Sequence, residues 1–391
     1  MPAASFFLPL WDRAAEWRRR LEMIRDARSF LYLSTFYIEW DVYAAELLDA
    51  LDDARRRRVE VTLLIDGFGQ RLGGVLMSRA HRHALAARLD GLRMAGGTVT
   101  FYRPAHLVQR WLGGGQHVKI QVSDAGEAIF GSSNITKTSF EWWNEYAVAV
   151  RGPVARTLLE SYRAIGAIVS DRHLEELDRV ADDAAGDARG NSGGGLELDY
   201  WLCNPNSHQG PLGPLGWRGG NVVTRRMIEM LDAARTSVRI TAFYFKPVAP
   251  LMDALVGAAA RGVAVEVFHS HRDALPATDL AWVAAAANYP RLLGAGVTIY
   301  ENRHGEHSKI VLVDDAWAAF GSYNFEDAAD DRLAEAMLAS RDPRAVEPAV
   351  AIFNDLRRDP DNVVVTREAW GALPAARRRK IAWLGRFKRW M

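Results

Sequence analysis

Two histidines and two lysines at matched spacing are the residues of this chain best suited to chemistry. Late in each half the sequence reads His-X-Lys, four residues, Asp, six residues, Gly-Ser-X-Asn. The first copy is His117, Lys119, Asp124, Gly131, Ser132 and Asn134; the second is His307, Lys309, Asp314, Gly321, Ser322 and Asn324. The offset is constant, since 307 − 117 and 324 − 134 both equal 190, and a glutamate lies 11 residues past each Asn, at Glu145 (145 − 134) and Glu335 (335 − 324). A single His-X-Lys says little, because a lone histidine is more often structural than catalytic. Two complete copies in a chain with 10 histidines reverse that weighting. Arginine supplies nearly all other cations: lysine occurs only at 119, 137, 246, 309, 380 and 388, and two of those six positions fall in the motif.

The residue types suit a phosphoryl centre. Lysine is a compact point charge that can address one phosphate oxygen without the planar fork of arginine. On a strand, residues two apart share a face, so His117 and Lys119 point together, as do His307 and Lys309. Val118 and Ile120, and likewise Ile310 and Leu312, then face a helix layer. Gly131 and Gly321 permit close backbone approach, and the following Ser and Asn can donate hydrogen bonds to phosphate oxygens.

The elements that must position these residues repeat as well. Ala27-Arg28-Ser29-Phe30-Leu31-Tyr32-Leu33-Ser34-Thr35-Phe36-Tyr37 leads through an Ala- and Leu-rich stretch to Val59-Glu60-Val61-Thr62-Leu63-Leu64-Ile65-Asp66. Ala234-Arg235-Thr236-Ser237-Val238-Arg239-Ile240-Thr241-Ala242-Phe243-Tyr244 leads likewise to Val263-Ala264-Val265-Glu266-Val267-Phe268. Short β-branched runs alternating with amphipathic segments predict crossover units on a largely parallel sheet covered by helices. Ala44, Leu47, Leu48 and Leu51 mark a helix over 43–58, with Arg55 to Arg58 as its solvated, dipole-matched C-terminal end. Residues 171–198 turn acidic and then glycine-rich and are expected to form a flexible connector. The expected division is 1–170, that linker, 199–355, and a basic tail over 356–391.

Composition bounds the answer. The 391 residues are 49% hydrophobic and 25% charged, a globular profile, and 49 basic against 48 acidic residues leave +1. No overall footprint for a long polyanion such as duplex DNA follows from that balance, so an anionic partner must meet a local patch. The single Cys203 permits no internal disulfide and no thiolate metal cluster, which fits a reducing compartment. The run Phe6 to Trp11 lacks the order of a secretory signal and is expected to pack. No apolar stretch reaches the roughly 18 to 20 residues of a membrane-spanning helix.

The paired motifs resemble the duplicated His-Lys-Asp signature of the phospholipase D superfamily, and the repeat carries the resemblance over nearly the whole chain. Within that superfamily the chain is most similar to short bacterial cardiolipin synthases without membrane spans. Phe36-Tyr37 and Phe243-Tyr244, Leu64-Ile65-Asp66-Gly67-Phe68-Gly69, Arg261-Gly262-Val263 and Gly321-Ser322-Tyr323-Asn324-Phe325 carry that likeness. One departure is Val118, where many relatives have arginine. The resemblance implies an α/β fold of two tandem phospholipase D-like domains, each a mixed, mostly parallel sheet flanked by helices. Pseudo-twofold symmetry would bring both motifs into one cleft.

It also implies a two-step transfer through a phosphohistidine, with His117 as nucleophile and His307 as general acid and then base; the motifs are too alike to exclude the reverse. Glu145 and Glu335 would each hold the far nitrogen of a catalytic histidine, and Lys119, Lys309, Asn134 and Asn324 would neutralise phosphate oxygens. Asp124 and Asp314 complete the family's catalytic set, although on their chemistry they are better placed to stabilise the motif's turn. No cofactor or metal is expected, since neither His81-X-His83 nor His269-X-His271 brings ligands in metal order.

Expected partners are phospholipids, phosphatidylglycerol first with phosphatidylethanolamine as the alternative second substrate, and an anionic membrane surface at the cytoplasmic face of the bacterial inner membrane, with no nucleic acid. Arg377-Arg378-Arg379-Lys380 precedes Ile381, Trp383, Leu384, Phe387 and Trp390, interleaved with Arg386, Lys388 and Arg389. Such a helix can lie in an anionic interface, the favoured expectation, or dock on the protein with its basic face in solvent. Phe101 to Leu112, with Trp111, could form a second apolar lip. A hydrolytic phospholipase D shares every catalytic residue, a superfamily nuclease is disfavoured by two motifs in one near-neutral chain, and an inactive scaffold would show an eroded motif.

Overall fold

The computed structural model describes residues 2–188, 195–207, 220–275 and 280–390. The first half supplies strands β1 (Phe6–Leu10), β2 (Phe30–Thr35), β3 (Glu60–Asp66), β4 (Thr98–Tyr102), β5 (Lys119–Ser123), β6 (Glu127–Gly131) and β7 (Ala147–Arg151) in the order β1-β7-β6-β5-β2-β3-β4. The second supplies β8 (Asp199–Cys203), β9 (Ser237–Ala242), β10 (Ala264–Ser270), β11 (Thr298–Asn302), β12 (Ile310–Val313), β13 (Trp317–Gly321), β14 (Leu333–Ser340) and β15 (Asn362–Val365). Their order is β8-β14-β13-β12-β9-β10-β11-β15. The two orders coincide strand for strand, with β15 as an addition, so each half is the same mixed sheet.

Along the main path of each sheet, parallel pairing joins β2, β3 and β4 and likewise β9, β10 and β11. Each sheet is mixed, as expected, but its ladders are more often antiparallel than parallel, which corrects the expectation of a mostly parallel one. The reason is local: the connections β5 to β6 and β12 to β13 are three residues long, and a turn that short can only reverse the chain. The segments between the parallel strands are long enough to hold crossover helices. Among these, α1 (Arg13–Asp26) precedes β2, α2 (Val42–Arg56) joins β2 to β3, and α3 (Gly67–Leu76) and α4 (Arg79–Met94) lie between β3 and β4. Helix α2 starts on Asp41, whose carboxylate accepts from the N–H groups of Tyr43 and Ala44, and it buries Ala44, Leu47, Leu48 and Leu51 completely.

The two sheets share a core. Phe130 on β6 and Phe320 on β13 lie in one buried cluster with Tyr146, Val148, Ala336 and Leu338, and the Tyr146 and Phe320 rings meet edge to face at 5.3 Å. Backbone pairing crosses the interface twice. Gly115–Gln116 runs parallel to Leu333–Ala334, and Asn144 pairs with Glu306 in the same sense. The His117 N–H donates to Ala334 and the His307 N–H to Asn144, both at 2.8 Å.

Three expectations about the flanking segments differ from the structure. Asp171–Ala188 is a helix whose Leu174 and Leu177 are buried against the first half, so acidic composition there marks a solvated helix face; Gly190 to Gly194 lie outside the described residues. The second sheet runs past residue 355, because β15 closes it against β11. In the tail, Ile381 on the helix Ala375–Leu384 is 3% exposed and joins the second half's core with Leu384 packed beside it. That stripe serves packing and is not free for lipid, while Trp383 and Phe387 stay exposed. The side chains of Lys388, Arg389 and Trp390 lie outside the described residues.

Candidate active site

His117 and His307 sit where the two halves meet, just before β5 and β12, and are 3% and 4% exposed. Lys119 and Lys309 are buried beside them. Each ammonium donates back to the carbonyl of the histidine two residues earlier, Lys119 to His117 at 2.8 Å and Lys309 to His307 at 2.5 Å. Each lysine is thus held beside the backbone of its own histidine.

The glutamates cross over. His307 Nδ1 lies 2.8 and 2.9 Å from the carboxylate oxygens of Glu145, which belongs to the first half. His117 Nδ1 lies 3.0 Å from Oε1 of Glu335, which belongs to the second, and 3.0 Å from the Ser322 carbonyl. A carbonyl can only accept, so Nδ1 of His117 carries the proton and its Nε2 presents a lone pair. Neither half contains a complete histidine-carboxylate pair by itself.

The two pairs are not equivalent. Glu145 accepts from Ser132 at 2.5 Å, from Ser139 at 2.8 Å and from His307 through both oxygens, whereas Glu335 accepts from Ser322 at 2.5 Å, from the Asn324 backbone N–H and, at a longer 3.3 Å, from His117, with its Oε1 left without a hydrogen bond among the described residues. The position matching Ser139 is 139 + 190 = 329, which is alanine. Burial works to raise Glu145, but attraction to His307 and its hydrogen bond outweigh that and hold the carboxyl below the usual range. Burial pushes Glu335 up to about 8 despite the pull of Lys119.

Both imidazoles are pressed below their ordinary value. For His117, burial is joined by repulsion from Lys119 and Lys309; for His307, burial is opposed by Glu145. Burial lowers Lys309 to about 8, against the attraction of Glu145 and Glu335.

The Ser132 and Ser322 hydroxyls, bonded to the glutamates, orient those carboxylates and do not point donors at a phosphate. The Asn134 and Asn324 side chains are buried, and their Oδ1 atoms find no hydrogen-bond partner among the described residues. Glu335 Oε1 and Gln116 Oε1 are likewise without a hydrogen bond among the described residues; of the Asn134 and Asn324 amides it is the Nδ2 group, the donor, that could address a phosphate oxygen.

Asp124 and Asp314 are at the far ends of β5 and β12 from the histidines. Asp124 accepts from the N–H groups of Arg28 and Ser29 at 3.0 and 2.8 Å; Asp314 accepts from Thr236 and Ser237 at 2.7 and 2.9 Å. Asp314 and Asp315 adopt φ of +54° and +51°, which aspartate tolerates better than most residues. Replacing Asp314 with alanine is expected to cost about 1–3 kcal/mol of stability, read from the urea midpoint, while turnover per folded molecule changes little. A stable variant with lost turnover would contradict that.

Several neighbours escaped the motif reading. Phe36 meets the His117 ring edge-on at 4.7 Å, Phe243 meets His307 at 4.8 Å, and Trp143 stacks on His307 at 4.9 Å. Phe36 and Phe243 were visible as matched residues of the repeat. Trp143 was not, because its place depends on Gly305 of the other half, whose φ is +119° and where a Cβ would collide with the indole. Lys246, a third buried lysine, pairs with Glu326 at 3.1 Å, and the Tyr244 hydroxyl donates to the same carboxylate at 3.2 Å. Its rarity as a lysine was the one available signal.

The family model described as "Cardiolipin synthase, PLD-like domain" matches residues 21–165 and 227–357. The cardiolipin synthase of Alkalihalophilus pseudofirmus is 24% identical over 81% of this chain and 59% of its own length. Cardiolipin synthase B of Salmonella typhimurium is 26% identical over 78% of this chain and 69% of its own length. The chain thus spans little more than half of the first of these relatives. Among solved structures, phosphatidylserine synthase of Haemophilus influenzae Rd KW20 superposes with a TM-score of 0.74 at 15% identity, covering 100% of this chain and 97% of its own, a likeness of fold.

Proposed function

We propose, from the premise that this chain belongs to the cardiolipin synthase, PLD-like domain family, matched in both halves, that it is a phosphatidyltransferase acting between phospholipids through a phosphohistidine. The observation that carries the reading is the crossed pair of glutamate-held imidazoles beside two buried lysines. His117, with its Nε2 lone pair open and a weakly ionised Glu335 behind it, attacks phosphorus and forms the P–N bond. His307 is the proton carrier: burial favours its neutral ring and Glu145 opposes that, and in its protonated form it gives its proton to the departing headgroup alkoxide as the P–O bond breaks. It then takes the proton of an incoming lipid alcohol, which attacks phosphorus and breaks the P–N bond. Lys119, Lys309, Asn134 and Asn324 stabilise charge on the phosphate oxygens. With phosphatidylglycerol as donor and acceptor the products are cardiolipin and glycerol; phosphatidylethanolamine is the other donor considered.

Among the described residues no helix is long and apolar enough to cross a membrane. The reading places the protein peripherally on an anionic bilayer, at the cytoplasmic face of the inner membrane. The test is incubation of purified protein with phosphatidylglycerol vesicles, with and without phosphatidylethanolamine, following products by mass spectrometry. Cardiolipin is expected. Phosphatidic acid alone would replace the reading with a hydrolytic phospholipase D, and no lipid turnover would bring forward a nuclease.

A further inference from the structure

The face beside the His117 motif is apolar, basic and unpartnered. Helix α3 and the short helix α5 (Leu107–Trp111) carry six of the exposed large apolar residues among the described ones: Leu72, Val75, Leu76, Leu107, Val108 and Trp111, the last 91% exposed. Neither helix hangs loose. Gln70 clasps Ile38 through two 2.9 Å hydrogen bonds, and buried Gln109 donates to the Pro205 carbonyl at 2.9 Å. Gly69 and Gly73 bring α3 so close to the Phe36 and Tyr37 rings that a Cβ at either would collide, and Phe36 touches His117. The inner face of α3 is therefore one aromatic ring from the His117 imidazole, and its outer face is apolar.

Charge is lopsided here. Between residues 67 and 118 the chain has arginine at 71, 79, 82, 88, 93, 103 and 110 and only one acid, Asp90, although its overall balance is +1. A cleft of about 560 Å³ opens between α3 and α5, lined by Phe68, Trp111 and the three arginines 71, 103 and 110. Among the described residues no carboxylate pairs with any of those three, whereas Arg88 and Arg93 are paired with acids. Exposed aliphatic and indole side chains ringed by uncompensated arginines complement a bilayer with anionic headgroups and an apolar interior.

We propose that this face, formed by α3 and α5, is where the protein docks on an anionic phospholipid bilayer, so that the His117 side of the site faces the lipid. The idea rests on the lipid reading above and assigns its membrane contact to the first half instead of the tail, whose Ile381 and Leu384 are spent on packing. The probe is co-sedimentation with phosphatidylcholine vesicles with and without phosphatidylglycerol, on a His117→Ala background so that no lipid is consumed. Leu72→Gln, Val75→Gln and Trp111→Gln combined are expected to weaken binding to the anionic vesicles at least about tenfold, and added salt should weaken the parent. Trp383→Gln with Phe387→Gln should stay within about twofold of it.

Arg71→Glu with Arg103→Glu, which leaves the apolar positions in place, should lose at least about tenfold as well and decides the matter if the triple variant fails to fold. Parent-like binding by the folded triple variant or by the arginine pair, or a loss confined to the tail variants, overturns the proposal. Cardiolipin synthesis by the wild-type protein, together with parent-like vesicle binding by those variants, would sink this surface alone. Face-dependent binding without any lipid turnover would sink the functional reading alone.

Discussion

With His117 replaced by alanine, turnover of phosphatidylglycerol falls by at least about 10³-fold, His307→Ala falls as far, and the double variant is scarcely worse. The physical ground is that each imidazole has one part of a single sequence: without the His117 lone pair no P–N bond forms, and without the His307 proton the alkoxide cannot leave. Groups acting as one unit do not add. The measurement is product quantitation by mass spectrometry, with circular dichroism confirming the fold. A single variant retaining a tenth of the activity would remove that histidine from the mechanism. Wild-type turnover should also fall as pH rises through about 8, because the Lys309 ammonium, charged below that value, loses the proton that stabilises phosphate.

Glu145→Gln is expected to cost at least about 10²-fold in kcat, and Glu335→Gln less than about tenfold, although the two glutamates occupy matching positions in the repeat. Glu145 is held ionised by its attraction to His307 and by donors that include Ser132 and Ser139. An amide there removes the charge that steadies the imidazolium, and its NH₂ would confront Nδ1–H. Glu335, raised to about 8 by burial, is largely protonated at neutral pH, so glutamine resembles the state already present. Ser139→Ala should move the first site part of the way toward the second, with a smaller loss than Glu145→Gln. Equal losses in both glutamine variants, measured by steady-state kinetics at pH 7, would end the claimed division between nucleophile and proton carrier.

The asymmetry shows where reading a repeat stops. Matching 145 to 335 was arithmetic, but matching 139 to 329 reveals serine against alanine only once Glu145 is known to accept from Ser139. The mixed sheet was half legible. The parallel strands β2, β3 and β9, β10 follow from the repeated β-branched runs, whereas the antiparallel share was hidden because the short turn inside each motif was read for its Asp and not for the reversal it imposes. The tail was misjudged for a related reason: an amphipathic stripe states that one face seeks apolar surroundings and is silent on whether protein or lipid supplies them.

The sequence by itself determined the inventory: two copies of His, Lys, Ser, Asn and Glu, the strand spacing that sets each His beside its Lys, and the equivalence of the halves. These are local matters, carried by side-chain periodicity and by a constant offset. Only the tertiary structure decided that Glu145 serves His307 and Glu335 serves His117, across 162 and 218 residues of chain. It also decided that Trp143 covers His307, that the tail is docked, and that α3, with its apolar outer face, packs against the Phe36 ring that meets His117. Each of these depends on how two sheets meet, and that is set by the packing of Phe130, Tyr146 and Phe320 in a shared core, which no spacing along the chain records.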